Sequence, residues 1–113
     1  IKDNHIAAAG GVAAAITAAR SAIGHLVKLE VEVDTLEQLH ELLELRVDAV
    51  LLDNMPLAKL ELAVKMIAGR MPAEASGGIT PATAGPIAAT GVDLISSGSI
   101  THSAPILDVA LDM

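Results

Sequence analysis

The sequence has no cysteine, phenylalanine, tyrosine or tryptophan. Without cysteine there are no disulfides and no thiolate metal sites, and the redox compartment is left open. Without aromatic rings the interior must be filled by alanine, valine, leucine, isoleucine and methionine, and it forgoes the large area each buried ring contributes. Modest stability is expected. Positive charge is also scarce, with 7 basic against 14 acidic side chains and a formal charge of -7. No basic patch stands out, so nucleic acid is not an expected partner. No apolar run approaches the length of a membrane span, and no basic-then-apolar signal segment opens the chain, so no membrane partner is expected either. The first residue is Ile1 rather than methionine, which suggests a processed, trimmed or designed piece, with a cytoplasmic origin as the plain expectation.

What is present is a globular composition. At 113 residues and 52% hydrophobic content the chain can build one core but not two ordinary domains. The apolar pattern alternates between short strand-like runs and longer helical ones. Residues 27–34 alternate strictly, with Leu29, Val31 and Val33 on one side and Lys28, Glu30, Glu32 and Asp34 on the other. Residues 49–53 form a compact apolar run ending in Asp53, the pattern of a buried parallel strand. Residues 72–76 and 92–97 are weaker strand candidates that run into glycine. Residues 11–22, 36–46 and 57–68 carry helical spacing, with Thr35 as a helix start and Gly69 as a stop. Pro81 suits a helix start after Thr80, whereas Pro86 is expected to damage that helix's interior. Such alternation implies an α/β chain with parallel strands, either an open doubly wound sheet or part of a barrel.

In α/β barrels the functional residues sit at the C-terminal ends of the strands. Polar residues collect at those points here: Lys2, Asp3 and Asn4, then Glu32 and Asp34, then Asp53 and Asn54. Ser76-Gly77-Gly78 and Ser97-Gly98-Ser99 follow. Two glycine loops at the last two strand ends suit a phosphate held by backbone N–H groups, although ordinary turns also use glycine for positive φ. If the acidic strand face lines a barrel, Glu32 and Asp53 could hold Mg²⁺ or sugar hydroxyls. The plain alternative is internal Lys–Glu pairing, which is the preferred reading for Glu30 and Glu74. Among the histidines, His25 and His40 read as surface residues, while His5 and His102 lie where a ligand could be touched. No pair has the spacing of a helical zinc site, and neither a nucleophile elbow nor a Walker loop appears.

The blocks IKDNHIAAAGGV (1–12), LEVEVDTLEQL (29–39), DAVLLDNM (48–55), EASGGIT (74–80) and the stretch 91–113 resemble, in order and spacing, those of quinolinate phosphoribosyltransferases. The resemblance implies a partial TIM-like (β/α) barrel with about five parallel strands and four or five helices. Residues 1–113 would be the C-terminal part of that barrel domain, without the N-terminal domain and first strands. It also implies a reaction. Quinolinate displaces pyrophosphate from phosphoribosyl pyrophosphate with Mg²⁺, and the ring then loses its 2-carboxylate, giving nicotinate mononucleotide for NAD biosynthesis. By position, Lys2 would lie near quinolinate, and Glu32 and Asp53 would hold the ribose hydroxyls and Mg²⁺. Ser76, Gly77, Gly78, Gly98, Ser99 and His102 would cradle the 5-phosphate.

The family's remaining arginines, histidine and lysine, which clamp the quinolinate carboxylates, come from segments outside this match. Ser97 and Pro86 depart from the family pattern. A homodimer or larger homo-oligomer is expected, since such a segment leaves open strand edges. Two alternatives compete with the enzyme. One is a non-catalytic barrel fragment, natural or designed, that folds or self-associates; the other is a molybdenum-transport-associated homologue of the same fold.

Overall fold

The computed structural model describes every residue except 104, 112 and 113, so Met113, the expected end of the barrel segment, lies outside it. Helices α1 (Asp3–Ala9) and α2 (Val12–Ala22) precede strand β1 (Glu30–Val33). Then follow α3 (Leu36–Leu43), β2 (Ala49–Asp53), α4 (Leu57–Ile67), β3 (Ala73–Ser76), α5 (Pro81–Ala89) and β4 (Leu94–Ile95). A 3₁₀ turn at Gly98–Ile100 closes the ordered elements.

The strands form one parallel sheet in the order β1-β2-β3-β4. Each helix between strands is the crossover that a parallel connection requires. Because the side-chain period of a strand is two, one face of the sheet collects Val31, Val33, Val50, Leu52, Ala73 and Ala75, all buried. Helices cover that face, where Leu39 and Leu42 of α3 and Leu60, Ala63 and Ile67 of α4 complete the core. The opposite face carries Glu30, Glu32, Leu51, Asp53, Glu74 and Ser76, all half-buried. A barrel has its interior on that side, and here it stands open.

Local chemistry sets the element ends. At α3 the Thr35 hydroxyl accepts from the Gln38 N–H, and the Gln38 carboxamide oxygen accepts from the Thr35 and Asp34 N–H groups, so orphan donors are satisfied reciprocally. Thr80 and Thr83 make the same exchange across Pro81. Helix α4 stops at Ile67, and both Ala68 (φ 51°) and Gly69 (φ 72°) turn left-handed.

Five sequence expectations need correction. About five strands were expected; among the described residues there are four, with Ile1 pairing alongside β1 through its nitrogen to the Glu30 carbonyl and its own carbonyl to the Glu32 N–H. Asp3 and Asn4 do not end a strand but open α1, because Lys2 takes an extended cap geometry and its N–H donates to His5 Nδ1. The strand expected over 27–34 starts only at Glu30, since the Val27 N–H is used in a turn back to Gly24. Pro86 does not break α5: it is exposed, and Ala82, whose carbonyl loses its helical donor, is exposed as well, so the cost is one bond in contact with water. The last strand also shrinks from 92–97 to Leu94–Ile95, both exposed, with no further strand beside it among the described residues.

The N-terminal rim of the sheet is fastened by two aspartates. Asp48, just before β2, accepts the Leu29 N–H at 2.7 Å on its carboxylate and donates its own N–H to the Leu29 carbonyl at 2.8 Å. Asp93, just before β4, does the same to Ala73, at 2.8 and 2.9 Å. Arg20 of α2 adds an ion pair to Asp48 at 2.7 Å and two bonds to the Arg46 carbonyl. The Leu29 N–H, the Arg20 guanidinium and nearby Lys28 hold the Asp48 carboxyl below the usual carboxylate range. An acid whose pKa falls on folding contributes stability above its unfolded value, and that stability is lost as pH drops through the folded value. Melting temperature should therefore fall on acidification below about pH 4, and Asp48→Asn should lower it at neutral pH while flattening that acid limb. Parallel melting curves for the two proteins between neutral and acid pH would remove Asp48 from this role.

Candidate functional site

Because all four strands run parallel, their C-terminal ends lie along one edge, and the strand-end residues gather there. Glu32, Asp34 and Asp53 bring carboxylate oxygens within 4.8 Å of one another. Lys2 reaches the cluster from beside β1, its Nζ 3.8 Å from Glu32 Oε2. A small cleft of about 70 Å³, lined by Ile1, Lys2, Glu30, Glu32 and Leu51, opens next to it. Oxygen atoms across a hard divalent cation lie about 4–5 Å apart, so the donor set suits such an ion in type and span. Asp34 joins Glu32 and Asp53 here, an addition to the pair expected from the sequence. Partial burial pushes the Glu32 carboxyl up; Lys2 opposes this, and Asp53, Asp3 and Asp34 reinforce it.

Deeper on the same face, Glu74 accepts a short hydrogen bond from the Ser96 hydroxyl. Burial pushes the Glu30 carboxyl up, and its neighbour Glu74 adds to the effect. Pairing with lysine was the expectation for Glu30 and Glu74; Lys2 instead goes to Glu32, and Glu74 is held by the Ser96 hydroxyl. For an acid with a raised pKa the sign reverses. Glu30 and Glu32 favour the fold most below the ordinary carboxylate value, and that contribution is lost as pH rises through their folded values.

The glycine loops lie at the ends of β3 and β4. Gly77 and Gly78 both have positive φ, 94° and 59°, so ordinary turn geometry accounts for glycine there. Gly98 differs. It has no positive φ, and an added Cβ would meet only His102 Cδ2, at 3.7 Å. The two loops are joined by Ser97, a departure that the sequence left unexplained: its hydroxyl donates to the Ile79 carbonyl and shares a 2.7 Å bond with Ser99 Oγ. Between the loops is a groove of about 250 Å³ bounded by Thr80, Ile95, Ser97 and Ser99 among others. The His102 N–H donates to the Gly98 carbonyl, which keeps its exposed ring beside that glycine. His5 goes elsewhere, into an alanine-rich groove of about 530 Å³ between α1 and α2.

A parallel sheet with helices on one face, an open polar face, and carboxylates and glycine loops at the C-terminal strand ends defines a segment of an α/β barrel. Comparison with known proteins names the kind. The family model "Quinolinate phosphoribosyl transferase, C-terminal domain" matches residues 1–112, and the chain belongs to that family. A probable nicotinate-nucleotide pyrophosphorylase (carboxylating) of Bacillus subtilis is 42% identical over 113 residues, all of this chain and 39% of the relative. The human nicotinate-nucleotide pyrophosphorylase (carboxylating) is 39% identical over 116 residues, again all of this chain and 39% of the relative. The crystal structure of NadC from Streptococcus pyogenes superposes with a TM-score of 0.86 at 44% identity, over 96% of this chain and 38% of that one. The chain thus spans about two fifths of the length of the relatives it matches. No helix among the described residues is long and apolar enough to cross a membrane.

Proposed function

We propose that this chain carries the ribose- and phosphate-binding edge of a quinolinate phosphoribosyltransferase, the decarboxylating enzyme that turns quinolinate and phosphoribosyl pyrophosphate into nicotinate mononucleotide, pyrophosphate and CO₂. The observation that supports this best is the shared edge: the Glu32, Asp34 and Asp53 carboxylates lie along the same strand ends as two glycine loops tied together by Ser97. Displacement of pyrophosphate leaves positive charge on the ribose C1, and fixed carboxylates beside it stabilise that charge more in the transition state than in the ground state. Glu32 and Asp53 take this role and would also hold Mg²⁺, which supplies charge neutralisation for the departing pyrophosphate. Lys2 counters the quinolinate carboxylates. Ser76, Gly77, Gly78, Gly98, Ser99 and His102 receive the 5-phosphate. Gly98 is the telling member, since the fold itself gives no steric reason for glycine there. A homodimer or larger homo-oligomer formed at the open strand edges, and a cytoplasmic location, belong to the same reading.

The 113-residue chain should bind phosphoribosyl pyrophosphate weakly and not turn over quinolinate, because the cationic groups that position the acid lie outside it and positioning supplies much of such a rate. In a ¹H–¹⁵N NMR titration the amides of Gly77, Gly78, Gly98 and Ser99 should shift on adding phosphoribosyl pyrophosphate with Mg²⁺. Shifts confined to other residues would remove the phosphate assignment. Detectable nicotinate mononucleotide from the chain alone would overturn its dependence on the missing groups.

A further inference from the structure

Asn54 follows Asp53 at the end of β2 and belongs to neither the carboxylate cluster nor the glycine loops, yet it touches both. It is one of two non-glycine residues with positive φ among those described, at 51°. Its N–H donates to the Ser76 carbonyl at 3.0 Å, which binds it to the end of β3. Its side-chain Nδ2 donates to Asp53 Oδ2 at 2.7 Å. Its carboxamide oxygen lies over Gly77, where any Cβ would come within 2.2 Å of Oδ1 and 2.9 Å of the Asn54 nitrogen. The exposed side chain thus lies against a glycine whose replacement would force it to shift, and on the other side it occupies one oxygen of the Asp53 carboxylate.

From this geometry we infer that Asn54 is a positioning residue. Its amide fixes the Asp53 carboxylate toward Glu32 and Asp34, and its seat on Gly77 holds that carboxylate and the Ser76-Gly77-Gly78 loop as one unit. The inference rests on the phosphoribosyl-transfer reading for what Asp53 and the loop bind. It does not rest on that reading for the hydrogen bond and the packing, which are properties of the fold. The competing explanation is that asparagine is here only because it tolerates left-handed backbone better than most residues.

Asn54→Gly separates the two, because glycine accepts the left-handed turn and removes the amide; Asn54→Asp keeps the size and turn tolerance and removes the donor. Two quantities would be read on the full 113-residue chain. The first is the Asp53 χ1 distribution from NMR scalar couplings, expected to be a single rotamer in the parent chain and averaged in both variants. The second is Mn²⁺ affinity by electron paramagnetic resonance, expected to fall roughly tenfold in Asn54→Gly, the usual effect of losing a group that orients a ligand, whereas Asn54→Asp adds a carboxylate beside the cluster and is read by its couplings alone. Thermal midpoints of parent and Asn54→Gly should stay close, which keeps unfolding from imitating the result. An unchanged Asp53 rotamer in Asn54→Gly, or averaging without any loss of Mn²⁺ affinity, would reduce Asn54 to a turn residue and overturn the inference. If the parent chain binds no Mn²⁺ at all, the cation reading of the carboxylates falls, and the couplings alone decide whether Asn54 orients Asp53.

Discussion

Gly77→Ala is expected to loosen or unfold the chain's functional edge and to abolish the amide shifts caused by phosphoribosyl pyrophosphate. Two costs combine at this position. A left-handed backbone at φ 94° disfavours any L side chain by about 1–2 kcal/mol. The new methyl also enters space held by the Asn54 carboxamide and lies 2.9 Å from the Asn54 backbone nitrogen, which cannot swing aside as a free side chain would. Overpacking of that kind adds about 1–3 kcal/mol. Gly78→Ala is the matching control, since Gly78 also has positive φ but nothing within 4 Å of an added Cβ. Urea unfolding should place Gly78→Ala about 1–2 kcal/mol below the parent, the cost of the left-handed backbone alone, and Gly77→Ala well below both. In the double variant with Asn54→Gly, part of the loss should return, because only the side-chain share of the clash is relieved. Equal midpoints for the two alanine variants would mean that the Asn54 contact is not what requires glycine.

Leu39→Ala should have an effect of similar or greater size on stability. Leu39 is fully buried and belongs to the group of largest fully buried side chains, together with Leu42, Leu52 and three valines. In a core without aromatic rings, such leucines carry the load that a phenylalanine or tryptophan shares elsewhere. Truncating a buried leucine to alanine costs about 2–5 kcal/mol, depending on how far the neighbours collapse. Typical domains have only about 5–15 kcal/mol in total. This chain should lie at the low end, because one sheet face is open and Ile106, Leu107, Val109 and Leu111 are exposed. The expected result is loss of the cooperative urea transition at room temperature. A cooperative transition shifted by less than about 1 kcal/mol would show instead that the core repacks around the gap.

The architecture could be read from the sequence wherever a single periodicity ruled. The alternation around β1 and the apolar run of β2 were visible because a strand with one face on the helices must place apolar residues at every second position. Lys2, Glu32, Asp53 and the two glycine loops could be placed at one edge for the same reason, as parallel strands bring their ends together. Contacts that depend on one atom crossing between elements were not visible. Nothing in the spelling of Asp48 or Asp93 reveals that each reaches an N–H at the start of the neighbouring strand, Leu29 just before β1 and Ala73 in β3. Ser97 looked like a misfit until its hydroxyl was found on the Ile79 carbonyl. Gly77 was read for an anion's approach, whereas the structure also shows the side chain that forbids anything larger. Pro86 misled because the rule against proline inside helices assumes a protected backbone, and the side of this helix that carries Ala82 and Pro86 faces solvent.

The aspartate fastenings are at the opposite end of the sheet from the loops, and each joins a consecutive strand pair, β1 with β2 and β3 with β4. Anchorage and the proposed chemistry therefore occupy separate ends of the same strands. Lengthening or rewriting a loop at the working end leaves the anchored end untouched. A lineage can try new specificities there without first rebuilding its foundation.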